Sequence, residues 1–304
     1  MDAALEAHGY GKRYRRRSWA LRGVDLAVPT GSITALVGPN GSGKSTLIRS
    51  WIGFERPTEG RLSTGGVDPG RDRAAAVARV GYVPQSPSLY PSLTIADHLA
   101  LATTLRRRFD AALAASYVDR LAIPLDAVAG RLSGGEQAQV GLAIALGTRA
   151  RILLLDEPLA SLDPLARREF LHVLVDAVRA EGHTALLSSH VITDIEQACD
   201  RIVVLGRGQT LLDLSIAEAV AHHRVVSGDA GSAGGAAAGP GAAVGSFPSP
   251  EGDRLTLVRV PAVQPLDGPA PGPGRSATLE EVVIGHMAAG RLRRAMARSE
   301  EVAA

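Results

Sequence analysis

Residues 38–46 read Gly38-Pro39-Asn40-Gly41-Ser42-Gly43-Lys44-Ser45-Thr46, which fits the pattern G-x-x-x-x-G-K-[ST]. The chemistry open to such a run is phosphate binding. Glycines let the backbone turn so that several N–H groups converge on one anion. A helix opening near Ser45 adds the positive end of its dipole. Lys44 is long enough to reach the β- and γ-phosphates of a nucleotide, and the Ser45 hydroxyl is a Mg²⁺ ligand by type. The chain has only two lysines, Lys12 and Lys44, and uses arginine elsewhere. A glycine-rich turn with a solvated lysine is the bland alternative; the strand and helix expected on either side of the loop argue against it.

A second group is the pair Asp156-Glu157, which follows the apolar run Ile152–Leu155. Carboxylates at the carboxyl end of a buried strand sit at the ligand edge of a parallel sheet. Asp156 is placed to hold Mg²⁺, directly or through water, and Glu157 to polarise an attacking water. A third group is Ser133-Gly134-Gly135, which precedes a helical run and forms a second anion-binding helix start. One nucleotide needs one such cradle, so a second suggests composite sites shared by two subunits.

These groups need a scaffold. Ile33–Val37, Ile152–Leu155, Thr184–Ser188 and Ile202–Leu205 are short apolar runs, and helical stretches separate them. That pattern predicts a parallel sheet covered on both faces. Ser45–Phe54 reads as the helix after the phosphate loop. Thr94-Ile-Ala-Asp97 has the capping-box pattern and opens a helix to about Arg108. Asp110 caps the next helix and Glu136–Leu146 makes a third, so residues 86–149 read as a helical insertion. Ala3–Val28 reads as strands of an antiparallel edge. Gly/Ala-rich residues 228–245 read as a flexible loop, Leu255–Val260 as a further strand and Thr278–Arg294 as a helix, with Pro/Gly-rich residues 261–274 between the last two.

Composition sets the outer limits. The 304 residues carry 33 Lys+Arg against 31 Asp+Glu, a formal net charge of +2, which gives no global reason to bind nucleic acid. The single cysteine, Cys199, excludes an internal disulfide and a four-cysteine metal site; it reads as a small apolar helix residue. No apolar run approaches the roughly 18 residues that span a bilayer, and Met1–Arg17 lacks a signal-peptide core. The basic run Arg13–Arg17 reads as a solvated hairpin.

Taken in order, these motifs resemble the ATP-binding subunit of ABC transporters over roughly residues 5–215. Gly38–Thr46 resembles Walker A, and Ile152–Glu157 Walker B with its catalytic glutamate. Leu132-Ser-Gly-Gly-Glu-Gln137 looks like the signature that sets this family apart. Gln85, in Gly81-Tyr-Val-Pro-Gln85, looks like the Q-loop glutamine that senses Mg²⁺ and the attacking water. Ser161-Leu-Asp163 resembles the D-loop, although Asp163 before Pro164 is also a helix N-cap. His190 looks like the switch histidine at the γ-phosphate, and Tyr14 like the aromatic that stacks on adenine, with Tyr10 and Trp19 as neighbouring competitors. Gln139 and Ile144 stand where the family often has arginines.

The resemblance implies an α/β fold: a P-loop ATPase core with a parallel sheet, an antiparallel β edge and an inserted α-helical subdomain, plus a small C-terminal extension. It divides the chain into an ATPase domain, 1–218, and an extension, 219–304. It implies ATP and Mg²⁺ as cofactors, a second ATPase subunit, a separate transmembrane permease and a peripheral place on the cytoplasmic side of the membrane. The segment Thr278–His286 is similar to the tail of subunits serving drug, antibiotic or polymer exporters, which favours export. An importer subunit or a soluble non-transport ABC ATPase are the alternatives.

Overall fold

The computed structural model describes residues 2–14, 18–86, 89–228, 242–260 and 274–303, with side chains as far as Arg291. Residues 15–17 of the basic run, most of the Gly/Ala-rich stretch and residues 261–273 lie outside the described residues.

The chain opens with two long strands, β1 (Ala3–Tyr14) and β2 (Ser18–Pro29), paired antiparallel. The short buried strand β3 (Ile33–Val37) leads through the glycine loop into α1 (Lys44–Trp51). Then come β4 (Glu59–Thr64), α2 (Arg73–Val77) and β5 (Val80–Val83). Three helices follow: α3 (Ile95–Leu105), α4 (Ala111–Arg120) and α5 (Gly134–Gly147). The core resumes with β6 (Ile152–Asp156), α6 (Pro164–Glu181), β7 (Thr184–Ser188), α7 (Ile192–Ala198), β8 (Arg201–Gly206) and β9 (Gln209–Ser215).

The central sheet has the order β5-β6-β7-β3-β8-β9 and is parallel except for β9, which runs antiparallel at the edge. Strands β3, β6 and β7 are buried at every position. This is why their sequences are apolar without alternation: both faces are covered. One face packs with α1 against the antiparallel strands, where Tyr10, Leu21, Leu36, Leu47, Trp51 and Leu154 meet. The other packs against α5 and α6 through Leu142, Leu153, Leu155, Phe170 and Leu187. The antiparallel strands do not extend the central sheet, as an edge would. With β4 they make a separate three-stranded sheet, order β2-β1-β4.

The helical insertion is present, with small shifts at its ends. The Thr94–Asp97 capping box forms in both directions, and Asp110 accepts from the Leu113 N–H. Helix α3 stops at Leu105, short of Arg108. Arg106 turns extended and donates its guanidinium to the Val80 carbonyl. Helix α1 ends at Trp51 rather than Phe54, because the left-handed Gly53 (φ 71°) follows. Gln139 is buried, and Arg149, after α5, supplies ion pairs for this region through Asp110 and Glu181.

The C-terminal part is more structured than two linkers, one strand and a helix; the expected strand at Leu255–Val260 is present, as Arg254–Arg259. A short helix α8 (Ile216–Ala221) runs across position 218. Strands β10 (His223–Ser227), β11 (Ala242–Pro248), β12 (Arg254–Arg259) and β13 (Arg275–Ser276) form a four-stranded sheet, order β11-β12-β10-β13. The final helix α9 (Leu279–Ala303) packs Val282 and Val283 into one core with Leu257 and Phe247 of this sheet and Ile202 and Val204 of β8. The sequence missed β10, β11 and β13. Cys199 is the residue that ends α7 in an extended conformation, not a residue within it, and burial pushes its thiol pKa up.

Candidate active site

The glycine loop lies at the carboxyl end of β3, between the ends of β7 and β8. Its shape depends on residues without side chains. Gly43 has φ 106°, and a Cβ there would stand 2.9 Å from the Ala20 carbonyl oxygen. Gly38 sits so close to the Leu205 carbonyl and the Ser42 hydroxyl that a Cβ would displace them. With no side-chain cap at its start, α1 leaves its first N–H groups facing the loop. Lys44 is buried and donates to the Gly38 carbonyl at 2.8 Å, closing the loop on itself.

The loop meets the end of β6. Lys44 Nζ lies 3.1 Å from Glu157 Oε1, and His190 Nδ1 lies 3.5 Å from Glu157 Oε2. One carboxylate therefore faces the loop lysine on one side and a largely exposed imidazole on the other. Glu157 itself has φ 48°, a left-handed conformation costly for a residue with a side chain. Ser45 Oγ donates to Asp156 Oδ1 at 3.1 Å, and Ser188 Oγ donates to the same oxygen at 3.0 Å. Asp156 is completely buried, yet its Oδ2 has no hydrogen-bond partner, and neither has the buried Ser42 Oγ. A buried unpaired carboxylate oxygen is expensive unless something else satisfies it. A hydroxyl and a carboxylate oxygen side by side are the hard donors that Mg²⁺ prefers. Asp156 and Ser45 therefore fit such an ion.

The remaining predicted residues fall around this cluster. Asp163 caps α6, accepting from the Leu165 and Ala166 N–H groups, while Pro164 opens the helix and Gly182 closes it in left-handed conformation. Gln85 is exposed on the bend after β5. Tyr14 is exposed at its ring, and partial burial followed by the neighbouring Glu55 raises its pKa. Lys12 lies 2.8 Å from Glu55 and 5.1 Å from the Tyr14 ring centroid. Of the two competitors, Tyr10 is fully buried against Ser50, and Trp19 lies between the guanidinium groups of Arg13 and Arg22.

Ser133 forms a reciprocal capping box with Glu136 at the start of α5, and Gly134 and Gly135 pass close to Ser161 and Leu162. The Ser133 N–H and hydroxyl both bond Glu136, and its carbonyl accepts from the Gln137 N–H. Within one chain the signature segment and the glycine loop are therefore not joined by these contacts. Ser188 is read from sequence only as the end of a strand, because a serine there carries no local signal of its cross-strand partner.

The ABC transporter family model matches residues 21–160. The lipoprotein-releasing system ATP-binding protein LolD 1 of Rhodospirillum rubrum is 37% identical over 201 residues, covering 63% of this chain and 88% of its own length. The chain belongs to the ABC transporter ATP-binding family. The Fe(3+) ions import ATP-binding protein FbpC of Pseudomonas fluorescens is 34% identical over 212 residues, which cover 68% of this chain and 60% of that protein. A solved structure of an ATP-binding subunit of an ABC transporter superposes with a TM-score of 0.63 at 29% identity, over 71% of this chain and 91% of the other. As a member of this family the chain is an ATP-binding domain and an ATPase. The two named relatives serve release and import respectively, so the family match leaves direction open. No helix among the described residues is long and apolar enough to cross a membrane.

Proposed function

We propose that the chain powers an ABC exporter from the cytoplasmic side of the membrane, working with a separate permease and a second ATPase subunit. The observation that carries the ATPase mechanism is the contact of Glu157 with both Lys44 and His190 at the mouth of the glycine loop. In this reading Gly38–Thr46 cradles the phosphates of ATP and Lys44 turns from Glu157 to the β- and γ-phosphates. That frees the Glu157 carboxylate to orient and polarise a water for in-line attack on the γ-phosphoryl group. His190 lies on the far side of Glu157, where it can hydrogen-bond the departing phosphoryl oxygens. Ser45 and Asp156, with Gln85, would hold Mg²⁺, which would supply charge neutralisation at the phosphates. Tyr14 stacks on the adenine.

Ser133, Gly134 and Gly135 act in trans. They open a helix whose N-terminus is suited to an anion, yet they are not bonded to the loop of their own chain. Head-to-tail pairing puts them against the γ-phosphate bound by the partner, with Asp163 at the seam. The division into an ATPase unit, 1–218 with its insertion at 86–149, and an extension, 219–304, belongs to this proposal. The exporter assignment rests on Thr278–His286, which links the extension to the core through Val282 and Val283.

A tagged Glu157→Gln protein, captured with ATP from detergent-solubilised membranes of the native host, tests the transporter reading. Stoichiometric recovery of a polytopic membrane protein supports it, and substrate flux in vesicles carrying that pair reads the direction. Inward flux would favour the importer alternative. Recovery of ribosomes or nucleic-acid complexes without a membrane protein would contradict the transporter reading.

A further inference from the structure

One buried hydroxyl connects the two acidic residues of the site without being part of any motif. Ser188 is the last residue of β7 and sits directly across the ladder from Asp156, the last residue of β6. It has no solvent exposure. Its Oγ accepts from the Glu157 backbone N–H at 2.7 Å and donates to Asp156 Oδ1 at 3.0 Å. A serine hydroxyl has one proton to give and lone pairs to receive, so both bonds form at once.

Two consequences follow from this geometry. With the Ser45 bond, Asp156 Oδ1 accepts twice and Oδ2 not at all, so the carboxylate rotation is fixed and its free oxygen is aimed. The Glu157 N–H is anchored at the residue whose φ of 48° turns the side chain toward Lys44 and His190. A backbone held in that region persists only where its surroundings over-determine it, and the Ser188 bond is such a constraint.

We propose that Ser188 is a positioning residue for ATP hydrolysis, one that holds the Glu157 main chain and the Asp156 carboxylate in register so that Glu157 faces the γ-phosphate. The proposal rests on the reading of Glu157 as the base. It places Ser188 outside direct nucleotide contact: its hydroxyl bonds Asp156 and Glu157.

The test is a double-mutant cycle on the purified full chain. Ser188→Ala should lower kcat by about 10–100-fold, the usual range for a group that orients a reacting residue, with Mg²⁺-free ATP affinity by equilibrium binding unchanged. Ser188→Thr, which keeps the hydroxyl, should recover most of kcat. In a Glu157→Gln background, the further loss from Ser188→Ala should be much smaller than in the wild type, because only its hold on Asp156 remains. Additive losses beside an inactive Glu157→Gln, or unchanged kcat in Ser188→Ala, would overturn the role of Ser188 alone. Wild-type turnover in Glu157→Gln would overturn the base assignment and this proposal together. If Ser188→Ala is unstable, Ser188→Cys tests the same point: normal kcat at reduced melting temperature would contradict it.

Discussion

Lys44 and Glu157 form a nearly buried ion pair, 3.1 Å from Nζ to Oε1, that joins the glycine loop to the end of β6. The pair ties up the two groups that nucleotide binding must separate. Lys44→Ala should therefore remove phosphate attraction and leave the buried Glu157 carboxylate without its cation. ATP affinity should fall by at least tenfold, and the melting temperature should drop as well, since breaking a buried pair by deleting one partner is costly. Titration calorimetry and a thermal melt read the two effects; unchanged ATP affinity would contradict the assignment of Lys44.

Gly43 carries φ 106° with the Ala20 carbonyl 2.9 Å from where a Cβ would stand. Gly43→Ala should cost about 1–3 kcal/mol through backbone strain, on top of the displacement of Ala20. Chemical denaturation should register that loss, and ATP binding should weaken because the loop can no longer close over Lys44. Full stability with normal binding would show that the loop tolerates another shape.

Tyr14 presents half its ring to solvent, whereas Tyr10 is fully enclosed and Trp19 is flanked by two arginines. Tyr14→Ala should weaken ATP binding by about 1–3 kcal/mol, the worth of one base stacked on an aromatic ring. Tyr14→Phe should keep most of the affinity, and Trp19→Ala should leave it unchanged. A loss confined to Trp19→Ala would move the adenine contact to that residue.

His223 and His286 link the extension sheet to α9, with Nε2 atoms 3.1 Å apart. His223 Nδ1 faces the Ala219 carbonyl at 2.7 Å and so carries its proton there, leaving Nε2 to accept from His286. Burial holds the His223 pKa below its ordinary value of 6.5, with Arg259 and His222 acting in the same direction. The folded state thus binds fewer protons than the unfolded one just below pH 6.5. This contribution to stability is full above that pH and is lost as pH falls. The urea midpoint should drop between pH 7.5 and pH 5.5, and His223→Gln should make the drop smaller. An unchanged pH dependence in that variant would show that His223 is not its source.

The turn of the glycine loop, the carboxylate pair at a strand end and the Ser133 helix start were legible because each is a local pattern: a short run of types fixes the local conformation. The core strands were legible for the same reason, since Ile33–Val37 and Ile152–Leu155 are too apolar to lie anywhere but between two covered faces. What depends on register was hidden. Ser188 matters because it lands opposite Asp156, and no feature of residues 184–190 announces that pairing. The extension was misjudged because β10 and β11 lie on either side of the Gly/Ala-rich stretch. There each strand is short; β11 begins inside that stretch, and β10 reaches its partner β12 only across it.

If Glu157 is the base of ATP hydrolysis, steady-state phosphate release by the purified Glu157→Gln protein should fall by roughly 10²–10⁴-fold, the usual worth of a general base, with ATP affinity preserved. Turnover within a few-fold of wild type would contradict it and require another group at the mouth of the glycine loop to act on the water.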